Sequence, residues 1–291
     1  MKILVVNAGS SSLKYQLFDM DEQKVLAKGL CEQIGPAGNI THKRPGQATY
    51  AESYPMPTHH EAIELVLKLL TDAEWGVIKS VDEIGAVGHR FAHGGKFKSS
   101  QVLTDAEMEY LESIVPINPL HGPPAIKGVN ACRALMPNTP HVGVFDTSFY
   151  STLEPKAYMY ALPYEWYEKY GIRKYGFHGT SHRYVAAKAA EYLGKDIKDL
   201  KIITCHIGSG SSITAIDGGK AVDTSMGFTP HGRRHLHGLH SPGRSAHGYP
   251  LRCHRSFPGD LHHEADRYDL RRDGCRHDQE GRSSGRFGHL Q

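Results

Sequence analysis

The sequence predicts an α/β protein in which two related halves face a shared cleft, followed by a segment that does not fold with them. Three observations carry this expectation. Apolar β-branched runs alternate with stretches of helical period, a strand, turn and strand unit that opens at Lys2 recurs at Lys201, and the composition breaks after Pro230. With 291 residues the chain is long enough for two domains that each bury a core. The expected division is a first domain over 1–150, the start of a second over 151–230, and an unrelated tail over 231–291.

The elements follow in chain order. Lys2-Ile-Leu-Val-Val is a β-branched run that ends at Asn7-Ala-Gly-Ser-Ser-Ser, and Leu13 to Asp19 resumes with alternation, giving two strands around a Gly/Ser turn. Between residues 60 and 71, Ala62, Ile63, Leu65, Val66, Leu69 and Leu70 recur at helical spacing, and Asp105 to Ile114 does so more weakly. Ile84 to His89 and Val142 to Asp146 read as strands that end in polar residues. Tyr184 to Leu193 reads as a helix opened by Thr180-Ser-His, and Lys201 to Cys205 followed by Ser212 to Asp217 is a second strand, turn and strand. Setting Lys2 against Lys201 matches Ile3 with Ile202, Gly9 with Gly208, Ser10 with Ser209 and Ser12 with Ser211, five identities in eleven positions. A Gly/Ser turn after an apolar strand lets backbone N–H groups and hydroxyls approach an anion closely, so two such turns suit the phosphates of a nucleotide.

Composition excludes several classes. Hydrophobic content of 39% and charge of 22% describe a globular protein. No stretch approaches the roughly 18 to 20 consecutive apolar residues that span a bilayer, and the first residues turn polar at Asn7, too soon for a signal peptide. A cytoplasmic protein without a membrane partner is expected. Five widely spaced cysteines with no Cys-x-x-Cys pair predict reduced structural thiols rather than disulfides or a zinc ribbon. The net charge of +3 is uneven: residues 231–291 carry 11 Arg against 7 acidic residues, which leaves −1 for residues 1–230 and no basic footprint for nucleic acid.

The 61 residues after Pro230 hold 10 of the 20 histidines and contain no Lys, Val, Ile, Met, Thr, Asn or Trp. Without Val or Ile, and with few other apolar side chains, the hydrophobic effect has little to act on, and the tail is expected to be disordered. It can be read as a nucleic-acid-binding arm, as a His/Cys metal site, or as translation in a shifted frame. A basic arm usually mixes Lys with Arg, and Cys253, His254, His262, His263, Cys275 and His277 lack the paired spacing of zinc sites. Back-translation favours the shifted frame: His247 to Arg255 can be encoded so that dropping one base yields Met-Gly-Thr-Arg-Cys-Gly-Ala-Ile-Asp.

Seven motifs then narrow the reading. Asn7-Ala-Gly-Ser-Ser-Ser-Leu-Lys14, Gly88-His-Arg-Phe-Ala-His-Gly-Gly95, Pro119-Leu-His-Gly-Pro-Pro124, Phe145-Asp-Thr-Ser-Phe149, Tyr175-Gly-Phe-His-Gly-Thr-Ser-His182, His206-Ile-Gly-Ser-Gly210 and Asp223-Thr-Ser-Met-Gly-Phe-Thr-Pro230 resemble the acetate kinase family in order and spacing. The resemblance covers residues 1–230. It implies two ribonuclease-H-like domains flanking a nucleotide cleft, the arrangement of sugar kinases, actin and Hsp70-type ATPases. It also implies Mg²⁺-dependent phosphoryl transfer between ATP/ADP and acetate, and a homodimer when full length.

By the same resemblance Arg90 binds the acetate carboxylate, a task suited to a planar guanidinium. Asp146 is the catalytic acid that orients acetate and helps hold Mg²⁺, with Asn7 contributing through the metal's water shell; His178 stabilises charge on the transferring phosphoryl group. Ser10, Ser12 and Lys14 belong to the first phosphate loop, and His206, Ile207, Gly208, Ser209 and Gly210 to the second, where Ser209 replaces the usual Asn. Ala92, Leu120, Phe177 and Pro230 would form the pocket for the acetate methyl, and Ala92 stands where Val is usual, so a pocket that accepts propionate is expected. Of the 20 histidines, His121, His182 and His206 join His178 as candidates. A second catalytic arginine, the adenine-binding segments and a magnesium-ligating glutamate would lie beyond Pro230, so the chain as written is expected to be unstable and nearly inactive. The alternatives are a propionate- or butyrate-type kinase and a non-catalytic remnant with a nucleic-acid- or metal-binding tail.

Overall fold

The computed structural model describes residues 1–35 and 37–229; Pro230 and the tail expectations lie outside the described residues. Strict alternation lays down the first sheet. β1 (Lys2–Ala8) and β2 (Ser12–Asp19) pair antiparallel from Lys2 against Asp19, burying Leu4, Val6, Leu13, Tyr15 and Leu17 while Val5, Lys14 and Gln16 face solvent. β3 (Lys24–Glu32), β4 (Asn39–Lys43) and β5 (Tyr50–Ser53) continue the antiparallel meander.

The chain then crosses over through α1 (His59–Leu70), whose start is fixed by a capping box: the Thr58 hydroxyl accepts from the His60 N–H at 3.1 Å, and Glu61 accepts from the Thr58 N–H at 2.7 Å. Its apolar stripe of Ala62, Ile63, Val66 and Leu70 packs in the same core as Leu4, Val6 and Leu17. β6 (Ile84–Phe91) lies parallel to β1, and after β7 (Gln101–Val102), α2 (Asp105–Ser113) and α3 (Gly122–Leu135), β8 (His141–Phe145) lies parallel to β6. The sheet order is β5-β4-β3-β2-β1-β6-β8-β7. A second core joins Met108 and Leu111 of α2 and Ile126 and Val129 of α3 to Phe91 and Phe145.

After a 3-10 segment (Asp146–Thr152) come the short helices α4 (Pro155–Tyr158) and α5 (Tyr164–Tyr170), then α6 (Gly179–Leu193) and a three-stranded antiparallel sheet of β9 (Lys201–Ile207), β10 (Ser211–Asp217) and β11 (Lys220–Thr224). The duplication read from sequence is present as structure: β1 and β9 each begin at the aligned lysine and run seven residues, and β2 and β10 begin at the aligned serines. The second hairpin closes one residue tighter, pairing Ile207 with Ser211 where the first pairs Ala8 with Leu13. Buried hydroxyls tie this sheet to the 3-10 segment: Tyr150 donates to the Phe177 carbonyl at 2.6 Å and meets Thr214 at 3.0 Å, and Thr214 meets Thr224 at 3.1 Å.

The periodic elements fall where the sequence puts them, with α6 opening at Gly179, earlier than the apolar period suggests. Not anticipated are β3 to β5, β7, β11, α3, α4 and α5. The α3 stretch Gly-Pro-Pro-Ala-Ile-Lys-Gly-Val-Asn-Ala-Cys-Arg-Ala-Leu starts with two prolines and holds an internal Gly and Asn, so its propensity is poor and packing supplies the stability. Among the described residues Cys31 and Cys132 are buried free thiols, each pushed up to about 12 by burial, and Cys205 is exposed. No helix among the described residues is long and apolar enough to cross a membrane.

Candidate active site

Three parallel strands, β1, β6 and β8, end side by side, and their carboxyl ends carry most of the predicted chemistry, as expected for an open α/β sheet. A cavity of about 170 Å³ lies there, lined by Asn7, Ala8, Gly9, Ser12, Lys14, Arg90, Ala92, His121 and Ala125. A larger hollow of about 490 Å³ runs over β1 to β4 and shares Asn7 and Lys14 with it. Because Arg90, Ala92 and Ser12 line only the smaller one, that cavity is the candidate site.

Parallel pairing sets Phe91 against Phe145, which places Arg90 and Asp146, 56 residues apart in sequence, within contact. Arg90 donates to Asp146 Oδ2 through Nη2 at 2.7 Å and through Nε at 3.2 Å. The two ends of this pair differ in environment: the arginine side chain is 39% exposed, the aspartate 2%. Asp146 Oδ1 is buried with no hydrogen-bond partner among the described residues. An orphaned carboxylate oxygen is costly, on the order of 1–3 kcal/mol, and such atoms mark functional positions.

The first turn is closed by Gly9 N–H donating to the Ser12 carbonyl at 2.7 Å. Asn7 lies at the end of β1 opposite Lys14, and Ser10 is exposed at the tip. In the second turn Gly208 N–H donates to the Gly210 carbonyl at 3.0 Å, with Ser209 exposed and Ile207 84% exposed.

His178 precedes α6 with φ of 59°, a left-handed conformation that is strained for a non-glycine residue and is found at functional sites. Gly179 makes this possible, since a Cβ there would lie 2.0 Å from the Asp146 carbonyl oxygen. His178 Nδ1 contacts Ser212 Oγ at 2.9 Å, its ring stacks on His206 at 4.0 Å, and a Cβ on Gly210 would sit 3.3 Å from His178 Nε2. His206 Nδ1 in turn meets Ser181 Oγ at 2.9 Å. Burial, then the neighbouring His206, lowers the His178 pKa to about 4; the Asp146 charge opposes and the Arg90 charge adds to this, so both lie within electrostatic reach of the ring.

The structure thus brings Asn7, Ser12, Lys14, Arg90 and Ala92 into one cavity, with Asp146 bound to Arg90 and His178 beside the second turn. Leu120 is 59% exposed and next to His121, and Phe177 is buried against His93 at 5.8 Å between ring centroids; neither lines the cavity. Sequence reasoning did not assign Ser212, Thr204, Ser181 or His93. The buried His93 accepts from Gly95 N–H at Nδ1, and its Nε2 has no partner among the described residues. The signal for Ser212 was available, as it follows directly on the aligned serine of the duplicated turn.

The oxygen donors here fit a hard divalent cation. Asp146 Oδ1 accepts no hydrogen bond from the described residues, and Asn7 offers an amide oxygen to the cavity.

Comparison with known proteins identifies relatives of this chain. The model of the Acetokinase family matches residues 2–246, which extends past Pro230, where the motifs stop. An acetate kinase of Clostridium botulinum is 61% identical over 231 residues, covering 79% of this chain and 58% of the relative. The crystal structure of Porphyromonas gingivalis acetate kinase superposes with a TM-score of 0.73 at 48% identity, and that of a propionate kinase from Francisella tularensis with 0.73 at 36%; each match covers 79% of this chain and 58% of the other. The chain therefore spans about 58% of the length of the relatives it matches. A family match over most of the chain, on a fold whose strand ends gather the family's motifs, means that the chain belongs to the acetokinase family.

Proposed function

We propose that this chain carries the acetate- and phosphate-binding half of a cytoplasmic acetate kinase, which transfers a phosphoryl group reversibly between ATP and acetate to give ADP and acetyl phosphate and works as a homodimer. The observation that carries the reading is the Arg90–Asp146 pair at adjacent strand ends beside a cavity lined by Asn7, Ser12 and Lys14.

An acetate oxygen attacks the γ-phosphorus, the bond to the β,γ-bridging oxygen breaks, and ADP leaves with that electron pair. No proton need move, so the protein's task is to bring two anions together and neutralise charge. Arg90 Nη1 and the remaining Nη2 hydrogen hold the acetate carboxylate, while Asp146 Oδ2 accepts from Nε and from the other Nη2 hydrogen and so fixes the guanidinium. The backbone N–H groups and serines of the two turns, with Lys14, hold the nucleotide phosphates. Neutral His178 donates to the transferring group as charge builds on its equatorial oxygens. Asp146 Oδ1 and Asn7 would hold Mg²⁺, which supplies charge neutralisation on the phosphates.

To test this, residues 1–229 are fused to the part of the Clostridium botulinum acetate kinase that the match leaves uncovered. The folded fusion should form acetyl hydroxamate from acetate, MgATP and hydroxylamine at a rate typical of kinases; a folded fusion with no acetate-dependent turnover refutes the reading. One observation favours a broader acid specificity: Ala92 lines the cavity, where a valine would take up more of it. Ala92→Val should raise the acetate-to-propionate ratio of kcat/KM severalfold, and an unchanged ratio excludes a role for this position in substrate size.

A further inference from the structure

Behind His178 lies a line of buried groups without an assigned role. Ser212 Oγ is 2.9 Å from His178 Nδ1 and 2.7 Å from His182 Nε2, and His182 Nδ1 is 2.7 Å from Thr204 Oγ1. Ser212, His182 and Thr204 are all buried. Three contacts in a row must share the protons of two hydroxyls and two neutral imidazoles, each of which carries one.

Only one direction uses every buried proton. If His178 donated from Nδ1 to Ser212, Ser212 would donate to His182 Nε2 and His182 would donate from Nδ1 to Thr204, leaving the Thr204 hydroxyl proton without an acceptor among the described residues. If both rings donated to Ser212, the serine proton would be stranded instead. Either error costs an unmade buried hydrogen bond, on the order of 1–3 kcal/mol. In the remaining arrangement Thr204 donates to His182 Nδ1, His182 Nε2–H donates to Ser212, and Ser212 donates to His178 Nδ1. The one proton left over is on His178 Nε2, beside Gly210 of the second turn.

We propose that Thr204, His182 and Ser212 are positioning residues that lock His178 in its neutral Nε2–H tautomer and so present a fixed hydrogen-bond donor to an anionic phosphoryl oxygen. The inference deepens the phosphoryl-transfer reading and rests on it for the identity of the anion; the tautomer itself does not depend on that reading. Burial also lowers the pKa of both rings to about 4, so each is neutral near pH 7 and a tautomer is defined. The αL backbone of His178 adds to the same fixation by setting the ring's approach to β10.

The test is a long-range ¹H–¹⁵N correlation spectrum of the histidine rings in the 291-residue chain at pH 7, with His178 and His182 assigned by substitution. Both should show the shift pattern of Nε2–H imidazole. Ser212→Ala should raise the Nδ1–H population of His178 at least threefold, and Ser212→Thr, which keeps the hydroxyl, should restore the parent pattern. In the fusion enzyme Ser212→Ala should lower kcat at least tenfold with the acetate KM within twofold. An Nδ1–H pattern for His178 in the parent chain, or no change in Ser212→Ala, overturns the proposal, and the parent spectrum decides even where a variant does not fold. An active fusion with the wrong tautomer rejects the relay alone; the right tautomer in an inactive fusion rejects the functional reading alone.

Discussion

Asp146 illustrates how a site residue can oppose stability. Its Oδ2 is bound to Arg90 while its Oδ1 is buried and unpaired, and the arginine is exposed enough to be hydrated without it. Asp146→Asn removes a buried charge and half of an ion pair whose other half water can serve. In the 291-residue chain the urea midpoint should therefore stay level or rise, and in the fusion enzyme kcat/KM for acetate should fall by about 10²–10³. A large loss of stability would mean that the carboxylate is chiefly structural. The sequence marked Arg90 and Asp146 separately, each at the polar end of an apolar strand. That they touch could not be read from it, because the contact depends on β6 and β8 being neighbours in the sheet.

Elements are set by short-range pattern where they are amphipathic and by packing where they are not. α1 has both a capping box and an apolar stripe in the main core, and Leu70 is fully buried. Leu70→Ala should cost about 2–5 kcal/mol in urea unfolding, and Thr58→Ala about 1 kcal/mol; equal effects would show that the cap, not the core, holds the helix. The start of α6 is governed differently. Gly179→Ala would drive a Cβ to 2.0 Å from the Asp146 carbonyl oxygen, so the helix start must shift, destabilising the chain and displacing His178. Loss of the His178–His206 ring-current shifts in the proton spectrum would report the displacement; a spectrum like the parent's would show that the helix end is free to adapt. This close approach explains why the apolar period placed the start late: Gly179 lies against Asp146 of the 3-10 segment, Ser181 meets His206 of β9, and His182 meets Thr204 of β9 and Ser212 of β10, so their types reflect those contacts rather than a helical stripe.

For the whole molecule, buried histidines couple stability to pH. Burial is the largest cause that holds His89 at about 3, helped by His141, and His93, His178 and His182 at about 4, against an ordinary value of 6.5. Since these values are depressed, the unfolded chain takes up protons first as pH falls. The stability from keeping the rings neutral is complete above about pH 6.5 and is lost from there down to about pH 4, and to about pH 3 for His89, each fully buried ring contributing at most about 1.4 kcal/mol per pH unit. Urea midpoints should be flat from pH 8 to 7 and fall steeply from 6.5 to 4.5, and His93→Phe, which keeps the ring packing on Tyr175, should make the fall shallower. Midpoints constant down to pH 4.5 would contradict the burial of these rings. At this scale the sequence by itself determined the α/β class, the duplicated hairpins at Lys2 and Lys201 and the family motifs, because alternation, helical period and Gly/Ser turns are written in consecutive residues. The order of strands in the sheet, the Arg90–Asp146 pair and the line from Thr204 through His182 and Ser212 to His178 were decided only by the tertiary structure. Each joins residues far apart in the chain through parallel pairing or through buried hydroxyls, and neither leaves a periodic trace in the sequence.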